Sequence, residues 1–500
     1  QQLSQRMALF TLSGSGYLLS LFLLMVTLTF ILLLPLSPGR LIKPTLALFT
    51  LFCAIISYFS DRFGVIFDLE MVRNVHDNLS EGNRAEALEL LSWDLVLYLL
   101  LHTLPFWFWL YWVEIKPAAA WWRDLGRRLS YGFGIAALTV VLVLLNYKTV
   151  SLFSRENRDL RYHLNPIFAL GSIAQFYRNQ TLMAMPFETI NGSIQRDQPH
   201  PPLIGVLIVG ETARGDHLQL NGYAEPTSPL LSQRQDLYNF SHASSCGTAT
   251  AYSLPCIFSL MGKDDYSPEH AEKQSNLLDL LQDAGINLYW LDNNSGCKGI
   301  CGRLPEHHYL DVSGSSEERF DEVLLTTLRE QLKNVEKDTL IVLHLLGSHG
   351  PAYYKRYPHE FASFQPDCQL NTPHDCPVQE LINSYDNTLL YTDYIINSVI
   401  TELSQIPPTM NTFMLYASDH GESLGENGIY LHGLPYALAP SAQTHIPMML
   451  WLSPQLNLSI IETSQPVSHD NISHTVLELF HVTTPPLQPQ LSLVQPTFTQ

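Results

Sequence analysis

Apolar positions are spread unevenly along this 500-residue chain, with long uninterrupted runs in the first third and short ones beyond. Four runs approach the roughly 20 residues that cross a hydrocarbon core: Tyr17–Leu36, Pro44–Phe59, Trp93–Val113 and Tyr131–Leu145. Clustered and almost uncharged, they predict a helical transmembrane domain over residues 1–146. Residues 147–200 read as a linker. Within it Asn165–Arg178 has an apolar stripe suited to the membrane interface, and the proline-rich Gln198–Pro202 punctuates the boundary.

From Leu203 the pattern changes. Short apolar runs at Leu203–Val209, Ile286–Leu291, Thr339–Leu346, Thr412–Ala417 and Ile446–Leu452 predict buried strands. They alternate with helical patterns at Asn276–Ala284, Glu317–Asn334 and Val378–Leu403. This alternation predicts an α/β domain over 201–500, with a largely parallel sheet covered on both faces. A site in such a fold forms beyond the carboxyl ends of the strands. The Pro- and Gln-rich tail from Thr483 reads as extended and peripheral.

Charge narrows the partners. A formal net charge of −19 excludes nucleic acid, which needs a basic footprint. Among the connections between spans, Arg40 and Lys43 lie in the first, and Lys116, Arg123, Arg127 and Arg128 in the third; the second is acidic from Asp68 to Glu89. Basic connections stay cytoplasmic, so the acidic loop and the C-terminal domain are expected on the outer side. Four spans ending outside put the N-terminus outside as well. Because the chain starts Gln1-Gln2, a fifth span upstream is expected in the full-length protein. Six of the seven cysteines form close pairs in the soluble part: Cys246/Cys256, Cys297/Cys301 and Cys368/Cys376. Neighbour-to-neighbour disulfides in an oxidising compartment are the economical reading, with a zinc knuckle as the alternative at Cys297/Cys301.

Three polar clusters follow strand-like runs or sit in a constrained loop. Gly210-Glu211-Thr212 comes directly after LIGVLIVG, and Ser418-Asp419-His420-Gly421-Glu422 directly after TFMLYA. A carboxylate at one strand exit with an Asp-His tandem at another offers the mixed O/N donors that suit Zn²⁺. The third, Cys246 to Cys256, holds Thr250 near its middle. A threonine hydroxyl becomes a nucleophile only when a metal or base lowers its pKa, and a helix opening there would present free N–H groups to a phosphate.

The segments VGETARGDHLQLNGY, SSCGTATAYSLPCIFS, GSHGPAYYKRYP and YASDHGESLGENGIYLHGLPYA resemble the signature segments of lipid A phosphoethanolamine transferases. That family includes the transferable colistin-resistance enzymes and belongs to the alkaline-phosphatase/sulfatase superfamily, whose fold is therefore expected in the C-terminal domain. The resemblance implies zinc ligands at Glu211, Thr250, Asp419 and His420, with Thr250 also the nucleophile. It implies active-site histidines at His349 and His432, and substrate contacts at Lys298 and Asn294 in the Asn-Ser-x-x-Lys setting. Membrane-side contacts fall on Asn74 and Glu86, with Asn78 a competing match for the first. A sulfatase is similar to C/S-x-P-x-R at its nucleophile, which Thr250-Ala251-Tyr252-Ser253-Leu254 lacks.

The implied reaction moves phosphoethanolamine from phosphatidylethanolamine to a lipid A phosphate through a Thr250 intermediate, with a core sugar of lipopolysaccharide as the alternative acceptor. The implied setting is the bacterial inner membrane, with a monomeric enzyme acting in the periplasm and conferring polymyxin resistance.

Overall fold

The computed structural model describes residues 12–36, 42–63, 67, 72, 93–114, 121–147, 150, 166–183, 186–190, 194–196, 200–305, 308–312, 320–333, 335–371, 373–434, 436–456 and 458–496. The chain divides into two compact units, Gln1–Ala184 and Met185–Gln500.

The first unit contains α1 (Leu12–Leu36), α2 (Ile42–Phe63), α3 (Trp93–Trp112), α4 (Trp121–Leu145) and α5 (Ile167–Met183). Among the described residues, Ile42–Asp61, Trp93–Trp112 and Leu125–Leu145 are long and apolar enough to cross a membrane, and Phe22–Leu33 within α1 is a shorter apolar stretch. Lipid tails are as apolar as leucine, so helix pairing there leans on packing and hydrogen bonds. Thr27 Oγ1 lies 2.8 Å from Thr139 Oγ1, joining α1 to α4. Trp107 Nε1 donates to Thr50 Oγ1 at 2.9 Å and Tyr98 OH to Asp61 Oδ2 at 2.7 Å, joining α3 to α2.

The second unit is built on an eight-stranded sheet. In chain order its strands are β1 (Leu203–Gly210), β2 (Leu237–Ser244), β3 (Asn287–Asp292), β4 (Tyr309–Asp311), β5 (Thr339–His344), β6 (Asn411–Ser418), β7 (His445–Leu452) and β8 (Val467–Ser468). Across the sheet they run β8-β2-β7-β6-β1-β5-β3-β4. All neighbouring pairs are parallel except those of β7, which opposes both β2 and β6. The fold is thus the α/β, mostly parallel one that the alternating pattern predicts.

The central strands are apolar on both faces because both faces are covered. Leu203, Leu207 and Val209 of β1 join one core with Phe413 and Leu415 of β6, while Ile204, Val206 and Ile208 join the other with Met414 and Tyr416. The first core is roofed by α6 (Thr250–Ile257), α7 (Leu277–Asp283) and α10 (Asp470–Leu479). The second is roofed by α8 (Glu322–Leu332) and α9 (Val378–Ser404).

Three strands were not expected from the apolar pattern. β2 reads LYNFSHAS and buries only Phe240 and Ala243 fully, so its polar face hides it; β4 and β8 are only three and two residues long. The tail also departs from expectation. Val494–Pro496 pairs antiparallel with Leu458–Ile460, and Leu493 is fully buried with its N–H donating to Thr475 Oγ1 at 2.9 Å. Two apolar side chains in the core, Leu493 and Val494, anchor a segment whose composition otherwise reads as loose.

Sheet register places Gly205 opposite Phe413, where a Cβ would fall 2.2 Å from the ring. Gly205→Ala is expected to destabilise the domain by about 1–3 kcal/mol, and adding Phe413→Leu should recover part of it. The shift in thermal unfolding midpoint checks this.

Candidate active site

β1 and β6 are parallel neighbours in register, Gly210 opposite Ser418, so both chains leave the sheet at the same edge and side by side. That register carries Glu211 from one strand against Asp419 and His420 from the other. One ligating atom from each of the three lies within 4.8 Å of the others, and all three residues are buried.

Backbone and amide donors orient the acids. Asp419 Oδ1 accepts the N–H groups of Thr212 and His420 at 3.1 and 2.8 Å, whereas its Oδ2 has no hydrogen-bond partner. Glu211 Oε2 accepts the Asn294 amide at 2.8 Å. His420 Nδ1 donates to the Gly421 carbonyl at 2.9 Å, which leaves the Nε2 lone pair facing the carboxylates. Thr212 holds a left-handed φ of 52°, unusual for a β-branched residue and characteristic of a constrained site. Gly347, φ 51°, crosses the Glu211 backbone so closely that a Cβ would sit 2.9 Å from its carbonyl oxygen.

Thr250 opens α6, inside the loop closed by the Cys246–Cys256 disulfide. Its hydroxyl donates to Glu211 Oε2 at 3.0 Å and lies 3.3 Å from His420 Nε2. Two further histidines stand nearby. The His432 ring centroid is 4.3 Å from that of His420 and 6.5 Å from that of His349. His432 Nδ1 donates to Glu422 Oε2 at 2.8 Å, and the other oxygen of buried Glu422 accepts Tyr353 OH at 2.5 Å.

The electrostatics follow from burial. Desolvation, with the neighbouring Asp419 charge, holds the Glu211 carboxyl well above the usual range. Desolvation also lowers His420. His349 is pulled down to about 4 by burial and by the charges of His432 and Arg356, so it is neutral near pH 7. Two acids sharing a dry site with an imidazole lone pair, and one carboxylate oxygen without any donor, is the donor set of a divalent cation site. The residues fit zinc.

Of the other expected site residues, Asn294 is buried and gives its amide protons to Glu211 and to the Leu345 carbonyl at 2.8 Å each, which makes it a support for Glu211. Lys298 is exposed; its ammonium donates to the carbonyl and hydroxyl of Ser295 at 2.6 and 2.7 Å, and it borders a cavity of about 300 Å³ together with Ala251 and Arg303. Cys297 and Cys301 form a disulfide, not a zinc knuckle. Asn74, Asn78 and Glu86 lie outside the described residues. Three residues that frame the site were not singled out from the sequence. Glu422 lies within the Asp-His-Gly-Glu segment and Tyr353 within GSHGPAYYKRYP, but His469 carries no local signal.

Residues 204–482 match the sulfatase family, and residues 24–181 match the family described as phosphoethanolamine transferase EptA/EptB. Phosphoethanolamine transferase EptA of Salmonella typhimurium is 38% identical, over 90% of this chain and 84% of that one. The chain belongs to the phosphoethanolamine transferase family. Phosphatidylethanolamine transferase Mcr-2 of Escherichia coli is 35% identical over 98% of this chain and 93% of its own length. Among solved structures, the integral membrane lipooligosaccharide phosphoethanolamine transferase A of Neisseria meningitidis superposes with a TM-score of 0.64, at 33% identity, covering 97% of this chain and 93% of that one.

One pH dependence follows from this phosphoethanolamine transferase fold. His469, buried among backbone groups, is pulled down from 6.5 to about 4 by desolvation. A base depressed by folding contributes stability that is complete above its unfolded value and lost as pH falls toward the folded one. Between pH 7 and 5 this residue should cost about 2 kcal/mol of stability, and His469→Phe should flatten the curve by that amount in denaturant unfolding.

Proposed function

We propose that this protein transfers phosphoethanolamine from phosphatidylethanolamine to a lipid A phosphate, through a covalent intermediate on Thr250, with zinc held by Glu211, Asp419 and His420. The observation that carries this reading is the position of the Thr250 hydroxyl, 3.0 Å from Glu211 and 3.3 Å from His420, at the mouth of a buried donor set with one oxygen unpartnered. Bound there, zinc would supply positive charge that lowers the pKa of the Thr250 hydroxyl and draws electrons from the donor phosphate.

The chain's own residues divide the remaining work. The Thr250 hydroxyl passes its proton to solvent at the mouth of the site, and its oxygen forms a bond to phosphorus as the bond from phosphorus to the glycerol oxygen breaks. Diacylglycerol leaves, its oxygen taking a proton from Nε2 of His432, whose Nδ1 is held by Glu422. His349, neutral at pH 7, suits hydrogen bonding to phosphate oxygens better than proton donation. The first turn of α6 adds N–H groups without helical partners, which favour an anion beside Thr250. In the second half-reaction an acceptor phosphate oxygen attacks the same phosphorus, the bond to Thr250 breaks, and the Thr250 oxygen takes back a proton from solvent.

The name of the lipooligosaccharide transferase relative supports a lipopolysaccharide-type acceptor. Lipid donor and lipid acceptor both account for membrane spans, because tethering the enzyme at the bilayer raises their effective concentration. We place the enzyme in the inner membrane with its catalytic domain in the periplasm, where three disulfides persist, as a monomer whose product weakens polymyxin binding.

The test is release of diacylglycerol from fluorescent phosphatidylethanolamine by the full-length protein, with mass analysis of added lipid A. Thr250→Ala is expected to lower release by about 10³-fold or more, and equal activity in both proteins would remove Thr250 from the mechanism. Asn294→Leu should keep the fold but weaken zinc retention by about 10–100-fold in chelator competition, since it removes the donor that orients Glu211.

A further inference from the structure

The short strand β8 pairs in parallel with the end of β2, Ser468 opposite Ser244, and the His469 N–H then donates to the Ser244 carbonyl at 3.2 Å. This places the His469 ring, 1% exposed, between two backbone groups that belong to opposite halves of the site. On one side the Cys246 N–H donates to His469 Nδ1 at 3.0 Å, so that nitrogen carries no proton. On the other, Nε2 lies 2.8 Å from the Ser418 carbonyl and therefore must donate. Both bonds are met by a single tautomer of a neutral ring.

The partners matter more than the bonds themselves. Cys246 begins the disulfide-closed loop that contains Thr250, and Ser418 immediately precedes Asp419 and His420. The helix that follows His469 extends the same attachment. Ser473 Oγ of α10 donates to the Ile257 carbonyl at 2.7 Å, at the far end of the helix that Thr250 opens. Asp470 Oδ1 accepts the Lys263 N–H at 2.8 Å, in the segment beyond that helix. This segment thus holds the chain before the Thr250 helix and at that helix's far end, and His469 also hydrogen-bonds the end of the strand that delivers Asp419.

We propose that His469 is a positioning residue for the transfer reaction, a two-ended spacer that sets the distance between the Thr250 loop and the Asp419-His420 strand end. The inference rests on the reading of Thr250 as nucleophile. A hydrophobic side chain of similar size would fill the volume but leave a buried N–H and a buried carbonyl without partners. The loop and the strand end would then move apart, and a displacement on the order of 1 Å between reacting groups costs about 10²-fold in rate.

The test uses the full-length protein in detergent micelles containing phosphatidylethanolamine. His469→Phe is expected to lower kcat by about 10²-fold with KM for the donor changed by less than about twofold, while bound zinc stays stoichiometric. His469→Asn retains an acceptor near Cys246, and His469→Gln retains a donor that reaches Ser418. Each should restore part of kcat, as spacing would and bulk would not. Amide exchange across residues 245–250 gives a readout independent of turnover; it should quicken in His469→Phe and return toward the parent rate in His469→Asn. Full kcat and unchanged exchange in a folded His469→Phe protein would overturn the proposal, as would an equal loss in all three variants that merely follows their folded fraction. If the parent protein released no diacylglycerol, the reading of the reaction would fall, and the exchange result would still decide whether His469 holds the loop.

Discussion

Parallel pairing of Leu203–Gly210 with Asn411–Ser418 brings two carboxylates out of one sheet edge into a space closed to water. Burying like charges side by side is costly, and hydrogen bonds to ionised groups only partly offset the loss of hydration. Much of the surrounding structure is arranged around that cost. Thr212 adopts a left-handed backbone that turns its N–H onto Asp419, Asn294 turns its amide onto Glu211, and Gly347 lets the neighbouring chain pass against Glu211. One carboxylate oxygen is still left without a donor. A divalent cation fits such a set.

The two histidines beside this cluster have contrasting environments. His432 is backed by a buried carboxylate, which orients its ring. His349 faces other cationic groups in a desolvated position and is kept neutral. Glu422, held in turn by Tyr353, gives His432 its partner.

The Thr250 loop has a comparable dependence on distant chain. The disulfide closes it locally, but its place relative to β6 comes from α10 and the residue just before it, more than 200 positions away in sequence. The same segment contributes Val476, Leu477 and Phe480 to the core under α6. Packing and hydrogen bonding there are therefore parts of one attachment, with the apolar side chains holding the helix down and His469 and Ser473 setting where it lies along the site.

Properties that depend on local pattern were legible in the sequence. The four apolar runs announce α1 to α4, and doubly covered strands such as LIGVLIVG and TFMLYA must be apolar throughout, so they and the acids at their exits stand out unaided. The strand exits pointed to Glu211, Asp419 and His420 as one group, and the resemblance to lipid A phosphoethanolamine transferases joined Thr250 to them. Tertiary structure decided what depends on register and on partners remote in the chain. The polar strand β2 exists because β7 and β8 pair with it, and the C-terminal tail is ordered because two of its side chains reach the core. Asn294 became a support for Glu211, and Glu422 and His469 acquired their places, through bonds that no spacing encodes. Thr212 and Asp419 meet across 207 residues. Periodicity reports whether a side chain is buried; only the pairing of strands determines what it is buried against.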